Sequence, residues 1–220
     1  MRHVVAMELM ATDQRAHRAL ERIYELFAAP TPSRIEGCPC CVGTRRVDLL
    51  LTTPLRDLTG QILWRYVTGV FLTVGSDRDF RYLLPRILEL AVCDPASVPD
   101  VEIILGKLRL AGWATWAPAE RQAIEALIDP WFEAALARDL LYAEEWQVGS
   151  DAESLLCGIG RADLDLSPWL VRLAAPEATP VRASIAERYA KYLMTSELPE
   201  ASFWEDAPIG WRSLANVVGK

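Results

Sequence analysis

SDRDFRYLLPRILEL, residues 76–90, repeats its apolar positions at the spacing of a helix: Phe80, Leu83, Leu84, Ile87 and Leu88 fall on one face. Ser76 precedes the run as an N-cap, and Asp79, three residues later, has the position of a short capping-box partner. The acidic pair Asp77 and Asp79 suits the positive end of the helix dipole better than a metal, because i and i+2 point apart on a helix. Pro85 sits inside the run, so a kink or a fresh helical start is expected there.

The same period extends in both directions. Upstream, Ile62, Leu63, Tyr66, Val67, Val70, Phe71 and Val74 predict a helix that starts after Thr59 and ends at a left-handed Gly75. Further back, Ala16, Ala19, Leu20, Ile23, Tyr24 and Phe27 form a stripe from Asp13 to Ala28, stopped by Pro30 and Pro32. Downstream, Val101, Ile104, Leu105 and Leu108 predict a helix closed by Gly112. Ile124, Leu127, Ile128, Trp131 and Ala135 predict the next, with Pro130 inside it. Ser167-Pro168 and Thr179-Pro180 each read as an N-cap hydroxyl followed by proline at the first helical position. Val181, Ile185, Tyr189 and Leu193 line the second of these helices, and Trp211, Leu214 and Val218 a terminal one.

No period-two alternation of useful length occurs, so the expected class is all-α. Short connections favour antiparallel helix pairs, arranged as an irregular bundle or a short curved stack. The interior prolines of LLPRIL and LIDPWF echo each other faintly, without a repeat period. Gly149, Gly158 and Gly160 mark residues 148–166 as the expected boundary between a main helical domain, 1–147, and a smaller C-terminal part, 148–220.

Composition narrows the function classes. The 220 residues are 51% hydrophobic and 24% charged, with a net charge of −7, which suits a folded acidic protein and disfavours nucleic acid and anionic lipid as partners. No stretch reaches the ~20 apolar residues of a membrane span. Residues 1–12 lack the pattern of a signal peptide. Five cysteines, an odd number, then point to a reducing cytoplasm.

Three of those cysteines lie in EGCPCCVG, residues 36–43, within an expected loop of roughly twenty residues. Cys38, Cys40 and Cys41 admit three readings: a zinc site completed by His17, His3, Cys93 or Cys157, a thiol redox centre, or a turn in which small sulfurs fill space. The Cys38–Cys41 spacing lacks the preceding strand of a C-x-x-C oxidoreductase, and no second C-x-x-C supplies the rest of a zinc set. A cysteine nucleophile with His17 as base carries no accompanying signature. Cys93 and Cys157 read as core residues. Glu144-Glu145, ahead of Trp146, reads as a solvated helix end.

EGCPCC, DFRYLLPRILEL and DVEIILGKLRLAGWATW together resemble a family of uncharacterised bacterial proteins of about this length, over roughly residues 25–135. The resemblance implies an all-helical cytoplasmic protein and brings no activity with it. The leading functional expectation is a non-enzymatic helical protein that binds another, basic, protein in a regulatory, adaptor or immunity role. Trp113 and Trp116, on a turn between helices, read first as plugs for the end of the helix pair and second as candidate anchors for that partner. The alternative is a zinc- or thiol-dependent protein acting through the cysteine segment.

Overall fold

In the computed structural model, Ser76 and Asp79 form the capping box: the Ser76 backbone N–H donates to Asp79 Oδ1 at 2.9 Å. The model describes residues 2–44, 47–145 and 148–219. The side chains of residues 2–11, 41, 43, 44, 144 and 145 lie outside the described set, and with them those of Cys41 and of the Glu144-Glu145 pair ahead of Trp146.

The chain is all-α, with no named strand among the described residues. Its helices are α1 (Arg2–Leu26), α2 (Pro39–Thr44), α3 (Val47–Thr52), α4 (Gly60–Gly69), α5 (Asp77–Cys93), α6 (Val101–Leu110) and α7 (Pro118–Glu145). They continue as α8 (Asp151–Arg161), α9 (Ser167–Leu173), α10 (Thr179–Arg188), α11 (Ala190–Thr195) and α12 (Pro208–Val218). No described helix is long and apolar enough to cross a membrane. Contacts gather the chain into two units, residues 17–127 and residues 1–16 with 128–220.

In the unit of residues 17–127 the stripes are buried where the 3.6-residue period places them. Leu20, Ile23 and Phe27, then Leu63, Tyr66 and Val67, then Phe80, Leu83, Leu84, Ile87 and Leu88 form its core with Ile104, Leu105 and Leu108. Pro85 lies within an unbroken α5, so neither expected interruption ends the helix. Gly112 takes the left-handed conformation, φ +64°, as its place after α6 predicts.

Helix α4 departs from expectation. It ends at Gly69 instead of running to Val74, and residues 70–74 turn back, with the Phe71 N–H donating to the Val74 carbonyl at 3.1 Å. Lys107, buried on α6, extends its Nζ to the carbonyls of Thr68 and Val70 at 3.3 and 3.1 Å. A cation placed there satisfies C-terminal carbonyls that have no partner inside the helix. Gly75 still takes φ +81°, but as the residue between this turn and the α5 cap.

In the other unit, the stretch 148–166 contains a helix. This is α8, whose Gly160 packs on Gly210 of α12, with a β-carbon added at Gly210 falling 3.3 Å from the Gly160 Cα. Gly160 thus serves a close helix approach, while a β-carbon on Gly149 would meet the Asp139 carboxylate. Ser167 and Thr179 stand inside their helices, not at the caps. The Ser167 hydroxyl donates to Asp165 Oδ1 and the Thr179 hydroxyl to the Pro176 carbonyl, at 2.8 and 2.6 Å. The stripe from Val181 to Leu193 is split at Tyr189, between α10 and α11.

Candidate functional site

The cysteine segment alternates in and out. Arg34 is exposed, Ile35 buried and Glu36 exposed, as an extended chain with a side-chain period of two requires. Its backbone is tied to the turn after α4. The Gly75 N–H donates to the Glu36 carbonyl at 2.7 Å, and the Cys38 N–H to the Thr73 carbonyl at 3.0 Å, on either side of an antiparallel bridge between Gly37 and Val74. A β-carbon on Gly37 would lie 2.8 Å from both the Thr73 carbonyl oxygen and the Val74 Cα, so only glycine fits.

Pro39 then opens a helix, which corrects the expected twenty-residue loop. Proline is preorganised for the first helical position, and the Val42 N–H closes the turn onto the Cys38 carbonyl at 2.9 Å. Cys38 and Cys40 are both exposed residues, and their sulfurs lie 2.9 Å apart in a thiol hydrogen bond. Beside them an open groove of about 710 Å³ is lined by Arg34, Ile35, Glu36, Gly37, Pro39 and Val42. Arg34 and Glu36 form an ion pair at its edge.

The frame behind this segment is a buried polar network. Asp79 accepts from the Tyr66 hydroxyl at 2.6 Å as well as from the Ser76 N–H. Burial first, then the neighbouring Asp79 charge, holds the Tyr66 phenol well above its ordinary pKa. Asp79 Oδ2 would also lie 2.8 Å from a β-carbon added at Gly75, so the network seats the turn that holds Glu36 and Cys38.

The structure unites only part of the expected site. Cys38 and Cys40 meet, the Cys41 side chain lies outside the described residues, and His17 does not join the cysteines. Among the described residues no three His, Cys, Asp or Glu side chains cluster as metal ligands. His17 is exposed on α1. Cys157 is buried as expected, whereas Cys93, at the last position of α5, is exposed.

Both tryptophans of the turn after α6 are buried. Trp113 and Trp116 are only 4% and 6% exposed, too little to insert into a partner. The Trp116 ring meets Phe27 edge-on at 5.6 Å and carries the Arg81 guanidinium 4.6 Å above it. Arg81 in turn pairs with Glu120. Both indoles therefore close the end of the α6–α7 connection. The exposed large apolar residues of this unit are Trp64, Leu72 and Leu110, none of them on a stripe that periodicity singles out.

No family model, curated protein or solved structure matches the chain.

Proposed function

We propose that the chain is a thiol-dependent protein whose Cys38 and Cys40 pass between dithiol and disulfide by exchange with a disulfide-bearing substrate. The carrying observation is the 2.9 Å separation of the sulfurs of two exposed cysteines. Space-filling cysteines are buried, as Cys157 is, while reactive ones are accessible and paired. Two residues apart at a helix start, their Cα atoms lie about 5–6 Å from each other, within the range a disulfide spans.

The test is equilibration in thiol–disulfide buffers of graded potential, with the modified cysteines mapped by mass spectrometry. The expected result is one two-electron transition, present in the parent protein and in Cys93→Ser and absent from Cys38→Ser and Cys40→Ser. A transition that survives Cys40→Ser would refute the pairing.

A second reading, non-enzymatic binding of a basic protein, rests on the net charge of −7 and on the exposure of Leu72 (68%) and Trp64 (42%). Saturable, salt-sensitive binding of a basic probe protein, weakened by Trp64→Ala and Leu72→Ala, is its expected signature. Binding indifferent to both substitutions would remove it.

A further inference from the structure

Resting on the thiol reading, we propose that the groove beside Cys38 takes a low-molecular-weight disulfide carrying α-amino-acid head groups. Arg34 and Glu36 project from the same side of an extended segment, because Ile35 between them is buried. They place one cation and one anion side by side at the rim. An α-amino-acid head presents an ammonium and a carboxylate at comparable spacing. Laid across the pair in the opposite sense, it gives each charge a second partner of opposite sign.

The remaining wall is apolar or backbone, from Ile35, Gly37, Pro39 and Val42, and suits the methylene next to sulfur. Extended chain advances about 3.3 Å per residue, so Cys38 lies roughly two residue lengths beyond Glu36, and a sulfur one methylene from a head group seated at Glu36 falls between the two. The buried charges of Asp79, Lys107, Asp139 and Glu153 offer no such opening, since each is engaged with hydrogen-bond partners inside a unit.

The exchange balances without a further reactant. Cys38, as thiolate, attacks one sulfur of the substrate RS–SR, forms a mixed disulfide and expels RS⁻. The Cys40 thiolate attacks the Cys38 sulfur, closes the Cys38–Cys40 bond and expels the second RS⁻. Two electrons pass from protein to substrate, and the two thiol protons end on two RSH.

The experiment follows oxidation of the reduced full-length protein by four disulfides: cystine (zwitterionic), cystamine (cationic), dithiodipropionate (anionic) and bis(2-hydroxyethyl) disulfide (neutral). Each rate is divided by that disulfide's rate with a free dithiol, which removes its intrinsic reactivity. Cystine is expected to exceed the neutral disulfide about fivefold on this scale, an advantage that added salt reduces. Arg34→Gln and Glu36→Gln should each lower the cystine-to-neutral ratio. Equal normalised rates, or a ratio untouched by both substitutions, overturn the substrate assignment while leaving the thiol reading in place. Absence of any Cys38–Cys40 oxidation by all four overturns both.

Discussion

Lys107 donates from Nζ to the Val70 carbonyl at 3.1 Å, so a buried ammonium on α6 closes the C-terminus of α4. That contact marks where α4 stops and the turn carrying Thr73 and Val74 begins. Lys107→Met keeps most of the stem volume and removes the donor, leaving buried carbonyls without it. It should cost about 1–3 kcal/mol in urea denaturation.

The pairing of Tyr66 with Asp79 predicts a pH dependence. Tyr24, Tyr66 and Tyr189 are all pushed up, each first by burial and then by a carboxylate beside it. An unfolded tyrosine titrates near pH 10, so above about that value the native state holds more protons than the unfolded chain. Stability from these groups is therefore fully present below about pH 10 and falls as pH rises toward the folded values. Tyr66→Phe should make the alkaline fall shallower and lower stability at neutral pH by about 1.5–3 kcal/mol, the scale of a hydrogen bond to a charged group. Denaturant titrations across the alkaline range, read with phenolate absorbance, check both effects.

Glu153 organises the C-terminal helices as Asp79 organises the N-terminal unit. Its carboxylate accepts from Trp204 Nε1 at 2.6 Å, from the Tyr189 hydroxyl at 3.1 Å and from Arg188 Nη1 at 2.9 Å. Glu153→Ala leaves a buried indole N–H without its partner and should cost about 2–3 kcal/mol; Glu153→Gln, which keeps an acceptor, should cost less. Thermal unfolding of the two variants distinguishes them.

Gly37→Ala tests how the cysteine segment is held. The added methyl meets backbone on the facing turn, which cannot yield as a side chain would, so the bridge to Val74 must open. The Cys38 amide, which now donates to Thr73, should exchange with solvent deuterium at least about tenfold faster, equivalent to losing a contact of ~1.4 kcal/mol. Unchanged exchange at Cys38 would show that the bridge does not position the thiols.

Much of the fold was legible in local pattern. The helical period of residues 80–88, the Ser76–Asp79 box and the left-handed Gly112 depend on neighbours within one or two turns, and each stands as its residues predict. The candidate site was only half legible. Three cysteines in EGCPCCVG announced chemistry, but alternation in the preceding RIE triplet was too short to reveal the groove.

By itself, then, the sequence determined an all-α chain, the inward faces of its principal helices and the presence of a thiol cluster, because periodicity and capping act over a few residues. Tertiary structure alone decided the rest. Helix α4 stops at Gly69, where Lys107 reaches its carbonyls; Trp113 and Trp116 are buried; Gly160 meets Gly210; and Gly37 docks against Val74. Each of these joins residues far apart in the chain, and hydrophobic pattern specifies which face of a helix is buried without specifying what covers it.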